Sequence, residues 1–173
     1  MAEMDKKTGE TLSFTMNLTA RDLWIFSMYH ANGGFMGVFN VVFTLAALYI
    51  LVFRWGSFTV EYRLLLVLCV LIFTVWQPLL LLWKAVKRAK SPVIRETMRL
   101  SFGDGGLKVE QGGQTAEFPW ENMARMDRLP HMVVLYMDRV HAYLLPKRVM
   151  EGQEEAFYEL ARKHLPKERR RRI

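Results

Sequence analysis

Hydrophobic and polar positions change their period several times along the chain, and each period predicts a different element. Residues 12–18 alternate strictly, Leu12, Phe14, Met16 and Leu18 against Ser13, Thr15 and Asn17, which is the pattern of a half-buried strand. Thr19 stands where a helix N-cap would, with Asp22 at the third helical position. The stretch from Ala20 to His30 is rich in large apolar residues, among them Leu23, Trp24, Ile25, Phe26, Met28 and Tyr29. It leads straight into a longer apolar run and reads as an interfacial helix feeding a membrane.

Two stretches then lose their charges altogether. One runs from about Gly33 to Phe53, the other from Leu64 to Trp83, where Lys84 follows. A bilayer crossing needs about 20 apolar residues, and both stretches are long enough. Tyr49, Phe53, Trp55 and Tyr62 lie near one boundary and Trp83 near the other, where amphipathic rings settle at headgroup level. A pair of buried core helices in a soluble protein is the alternative, but such helices rarely run this long without charge between basic flanks. No signal peptide is expected, since Asp5, Glu10 and Asp22 interrupt the first thirty residues and no small-residue cleavage site follows a short apolar core.

The lysine and arginine bias orients the pair. The connecting loop carries only Arg54 and Arg63, whereas Lys84, Lys87, Arg88 and Lys90 crowd the exit of the second stretch and Lys6, Lys7 and Arg21 precede the first. A multi-pass protein of the cell membrane with both termini cytoplasmic is the expectation. Asn40 and Gln77 interrupt the two stretches at similar depth, about 9 Å inside the cytoplasmic face at 1.5 Å per residue. Their amides are placed to bond across the helix pair, to serve the backbone freed by Pro78, or, less simply, to line a polar path.

Beyond residue 94 the alternation returns. Met98, Leu100 and Phe102 oppose Thr97, Arg99 and Ser101, and Gly103-Asp104-Gly105-Gly106 supplies a hairpin turn. Leu107 and Val109 make the next strand, Gly112-Gly113 the next turn, and Ala116, Phe118 and Trp120 alternate after it. Shorter candidates run over 123–129, 132–137 and 141–145. Strands at this spacing predict a small antiparallel barrel or sandwich. An amphipathic helix over about 151–165 follows, with Ala156, Phe157, Leu160, Ala161 and Leu165 on one face. Pro166 ends it, and the basic remainder reads as a disordered tail.

The predicted fold class is therefore membrane α+β. A two-helix transmembrane hairpin is inserted into a small antiparallel β domain, pleckstrin-homology-like in its inventory of about seven strands and a closing C-terminal helix. Residues 1–32 hold the first strand and interfacial helix, 33–83 the hairpin, 91–165 the cytoplasmic β domain with its helix, and 166–173 the basic tail. The β part alone is near the lower size limit for a single core, so the first strand is expected to complete it.

Charge and composition sharpen this picture. The 173 residues carry a net charge of +7, concentrated in two places. Lys84, Lys87, Arg88, Lys90, Arg95 and Arg99 stand against Glu96, and Arg162, Lys163, Lys167, Arg169, Arg170, Arg171 and Arg172 against Glu168. Each such charge near an anionic leaflet contributes about 1 kcal/mol, so anionic lipids are the expected partners of Lys84, Lys87, Arg88, Lys90 and the four terminal arginines, the alternatives being that the first group only sets topology and the arginines only solubility. Nucleic acid is a poorer partner, because no aromatic interleaving or groove-reading element accompanies the runs. Cys69 stands alone in an apolar run, which leaves no disulfide framework and no multi-cysteine metal site. His30, His131, His141 and His164 are scattered without ligand spacing. Asp104 is explained by turn chemistry. Trp120 reads as a core or rim aromatic, and Lys147 and Arg148 could border an anionic site with it. No catalytic constellation, metal or cofactor is expected.

The chain resembles the YcxB-like family of small bacterial membrane proteins. The resemblance rests on Leu12-Ser13-Phe14-Thr15 before the two apolar stretches, on Phe118-Pro119-Trp120-Glu121-Asn122-Met123, and on Leu144-Leu145-Pro146-Lys147-Arg148-Val149 before the last helix. It implies the fold without supplying a reaction. Two functions are left standing. One is a non-enzymatic membrane-anchored module docking an unidentified protein through its β domain at the inner leaflet. The other is a small homo-oligomeric transport or tolerance protein with Asn40 and Gln77 on its path.

Overall fold

A computed structural model of the chain describes residues 11–138 and 141–172, apart from the side chain of Met36. Lys6 and Lys7, counted above for orientation, lie outside the described residues. The chain divides into two compact units. One joins the segment ending at Leu18 to everything from Pro92 onward, and the other is Thr19–Ser91. The boundary therefore falls inside 1–32: the first strand belongs to the β unit, the helix after it to the helical one.

In the β unit, β1 (Leu12–Met16) pairs antiparallel with β2 (Met98–Gly103), which follows a short helix, α5 (Pro92–Arg95). Phe14 lies opposite Leu100 and Met16 opposite Met98, so the early strand joins the later sheet as its alternation required. β3 (Gly106–Gln111) and β4 (Gln114–Phe118) complete a four-stranded antiparallel sheet in the order β1-β2-β3-β4. Gly106 takes φ +135°, and a side chain there would run into the Phe118 carbonyl, so the turn demands glycine. The second sheet holds β5 (Arg125–Arg128), β6 (Met132–Tyr136) and β7 (Ala142–Pro146), antiparallel in sequence order.

Alternate residues of both sheets and one helix, α6 (Glu154–His164), meet in a single core. Phe14, Phe102 and Phe157 form its aromatic centre, with centroids 4.9–6.0 Å apart. Val133 and Leu135 face this core. Met132 and Val134 alternate with them and are also fully buried, so β6 is covered on both faces. The last helix starts later than 151, because Gly152 at φ +79° cannot continue a right-handed turn.

The tail departs from expectation. Arg170–Arg171 form a strand, β8, parallel to β5, with Arg170 opposite Met126 and Arg171 opposite Asp127. Backbone pairing, supported by Arg169 donating to the Glu121 and Met123 carbonyls at 2.7 and 3.3 Å, docks a segment that carries no hydrophobic period. It is not a free tail.

The helical unit begins with α1 (Ala20–Ala31), whose Thr19 and Asp22 form the expected capping box. Two long apolar elements follow: α2 (Gly34–Phe53), and a continuous helix Val60–Ala89 made of α3 (Val60–Leu71), a wide π turn (Ile72–Trp76) and α4 (Gln77–Ala89). The π turn ends two residues before Pro78, whose ring would meet the Thr74 carbonyl in a regular helix and whose nitrogen has no proton to give it. Widening the turn relieves both problems, and the Gln77 N–H reaches Ile72 instead. Among the described residues, Val60–Ala89 is the one helix long and apolar enough to cross a membrane, while Gly37–Phe53 is a shorter apolar helix. The two helices pack together, Phe43 edge-on to Phe73 at 5.7 Å. α1 does not stand alone as a surface helix. It packs along α4, and the Trp24 Nε1–H donates to the Pro78 carbonyl at 3.1 Å.

Candidate functional site

The basic exit of the long helix is the most developed of the predicted sites. Lys84, Lys87 and Arg88 recur at three- and four-residue spacing on α4, which brings them to one side of the helix. α1 lies along the same helix, and between them runs an open groove of about 500 Å³. Leu23, Leu81 and Ala85 give it an apolar floor, and Lys84, Lys87 and Arg88 a cationic rim. The Trp83 ring is exposed, with Lys87 Nζ 5.6 Å from its centre. Among the described residues, none pairs ionically with Lys84, Lys87 or Arg88. The acid of α1, Asp22, is buried and accepts from the Thr19 backbone and hydroxyl at 2.8 and 2.7 Å. Lys90 caps α4 but does not line the groove.

The remaining predicted residues separate. Asn40 and Gln77 sit half-buried on their helices, and no hydrogen bond joins them. The π turn just before Gln77 shifts its helical phase from the one a regular helix would give. Arg169 and Arg170 are absorbed into the docking of β8, Arg170 with a buried Nε, whereas Arg171 and Arg172 stay exposed. Next to β8, buried Asp127 has Arg125 Nε 2.9 Å from its Oδ1, an ion pair without hydrogen-bond alignment.

Trp120, Lys147 and Arg148 do not form one rim. Trp120 is buried, and its Nε1–H donates to the Gly103 carbonyl at 2.9 Å. Arg148 donates to the Asn17 carbonyl at 3.1 Å. The β1–β2 register runs from Leu12 opposite Phe102 to Met16 opposite Met98, so these two contacts mark opposite ends of the ladder. At 3.2–3.4 Å per residue the ends are about 13 Å apart.

One cluster was not legible beforehand. The His164 ring stacks on Trp120 at 5.4 Å and 6°. Asp104 Oδ1 lies 3.0 Å from His164 Nε2 and 2.9 Å from Lys163 Nζ. The Lys163 hydrogen bond, then that of His164, holds the Asp104 carboxyl below its ordinary range. The cluster ties the last turn of α6 to the β2–β3 turn, and no sequence spacing links residues so far apart. Beside that turn, on the first sheet, a shallow groove of about 270 Å³ runs past Gly106, Lys108 and Glu117. Among the described residues, no group of three or more His, Cys, Asp or Glu is placed to hold a metal.

With the geometry in place, comparison with known families gives a match to the β unit. Residues 102–161 match the family described as YcxB-like protein. The matched segment runs from the end of β2 into α6, so it covers most of both sheets and leaves out β1 and the helical unit. The similarity thus includes the Trp120 and Pro146 segments. No curated protein and no solved structure matches the chain.

Proposed function

We propose that the chain is a membrane-anchored, non-enzymatic interaction module, with α2 and Val60–Ala89 as a transmembrane hairpin and a pleckstrin-homology-like β unit on the cytoplasmic side. The observation that carries this reading is the apolar exterior of the helical unit. Val38, Val42, Leu45, Val52 and Phe53 on α2, and Leu64, Leu65, Leu68 and Trp76 on the longer helix, are all exposed. Apolar patches beyond a few hundred Å² are rare on monomeric soluble proteins and mark surfaces that another phase or partner covers. The 20-residue length of α2 and the uncharged middle of its partner suit lipid as that phase. The family similarity supports the β unit and is silent on a reaction.

Alkaline extraction of cell membranes, combined with labelling, tests the anchoring. The chain is expected to stay with the membrane, a reporter fused after Ile173 to be cytoplasmic, and Ser57→Cys to be labelled from outside. Release by alkali would remove the membrane reading, and labelling of Ser57→Cys only after permeabilisation would reverse the orientation. Substituting Asn40 and Gln77 by leucine should leave an interaction module's partner capture intact. Loss of activity in that pair of variants would favour the transport alternative.

A further inference from the structure

We infer that the groove between α1 and α4 is a binding site for the phosphate-bearing headgroup of an anionic phospholipid. The inference rests on the membrane reading above and adds a site to it. Three like charges on one helix side repel one another, and nothing described in the protein neutralises them. The sequence holds no Asp or Glu between Glu61 and Glu96, and the acid of α1, Asp22, is buried and bonded to Thr19. A helix C-terminus favours cations, which accounts for basic residues somewhere in this last turn. It does not account for a cavity between two helices with those residues on its rim and Leu23, Leu81 and Ala85 on its floor.

That combination matches an amphiphile. A phosphodiester takes the ammonium and guanidinium groups, with the bidentate fork of Arg88 suited to two phosphate oxygens. The glycerol and first acyl carbons then follow Leu81 toward the uncharged part of the helix. Exposed Trp83, next to Lys84, belongs at the same headgroup level. The Trp24–Pro78 hydrogen bond fixes α1 against α4 and so fixes the groove's width.

The test uses the full chain purified in an uncharged maltoside detergent. Retained lipid is measured by native mass spectrometry against equal amounts of phosphatidylglycerol and phosphatidylcholine. Phosphatidylglycerol should be retained preferentially, and Lys84→Gln, Lys87→Gln or Arg88→Gln should each weaken it about fivefold. Lys90→Gln is the internal control: it removes a charge from the same helix end but not from the groove, and should change retention little. Lys84→Arg keeps the charge and should retain the lipid, which separates loss of the site from loss of fold. Millimolar glycerol 3-phosphate should not displace the lipid.

Equal retention of phosphatidylcholine, or an equal effect of Lys90→Gln, would overturn the site and leave only a diffuse basic collar. Complete displacement by glycerol 3-phosphate would overturn the lipid and indicate a soluble anion. If these fail while the chain still resists alkaline extraction, the site alone is lost. Release by alkali would remove the anchoring itself.

Discussion

At the scale of single residues, the junction of Asp104, Lys163, His164 and Trp120 shows how a turn former acquires a second task. Gly103 and Gly105 flank Asp104 in the hairpin turn, and its carboxylate then receives two donors from the end of α6. Because those donors lower its proton affinity, the folded state binds fewer protons there than the unfolded chain. The resulting stability is fully present above the unfolded carboxyl value of about 4 and is lost as pH falls through the lowered folded value. Wild type should therefore melt higher than Asp104→Asn at pH 6, with the gap closing toward pH 2. A gap that persists at pH 2 would show that the charge is not its source. Trp120→Phe trades the indole for a smaller benzene ring and loses the donor to the Gly103 carbonyl. The lost hydrogen bond should cost about 0.5–1.5 kcal/mol in the same melts and the space left in the core adds to it, so no change would mean that neither the bond nor the indole's packing contributes.

At the scale of elements, β1 and β8 are the two strands that neighbouring sequence does not explain. β1 was legible, because Leu12, Phe14 and Met16 alternate and a strand with one apolar face must bury it somewhere. β8 was not: a run of arginines carries no apolar period, and its docking rests on backbone pairing with β5 and on the Arg169 guanidinium. Likewise Pro78 and the length of the apolar run were readable, whereas the π turn that accommodates the proline shows only in the backbone. The candidate site divides in the same way. The basic residues of α4 were visible as charge, but the groove they border exists only because α1 packs beside them. These differences set separate costs. Phe14→Ala removes a buried ring from the aromatic centre and should destabilise the β unit by about 3–5 kcal/mol. Ending the chain at Pro166 removes β8 and the bonds of Arg169, and should cost about 1–3 kcal/mol. A truncated chain as stable as the full one in denaturant titration would show the tail to be dispensable.

For the whole molecule, the decisive feature is that the β unit is discontinuous in sequence. β1 and β2 pair antiparallel with Met16 opposite Met98, as in a hairpin, yet Thr19–Ser91 lies between them. Closing that long loop costs conformational entropy that grows with the logarithm of its length. Residues 92–173 alone lack Phe14 and Met16, two buried members of the core they would have to form. A detached 92–173 segment should therefore be poorly folded and readily proteolysed. Joining residues 11–18 to 92–173 through about eight Gly/Ser residues in place of Thr19–Ser91 turns the long insertion into an ordinary hairpin loop. Counting the residues kept on either side of the linker, the β1–β2 loop shortens about fivefold, which lowers the closure cost by about 1.4 kcal/mol and restores Phe14 to its place against Phe102 and Phe157. The joined chain should give a cooperative melt and slower proteolysis than 92–173. Equal protease sensitivity of the two would mean that β1 adds nothing without the helical unit, and that the β unit depends on the inserted helices for more than chain connection.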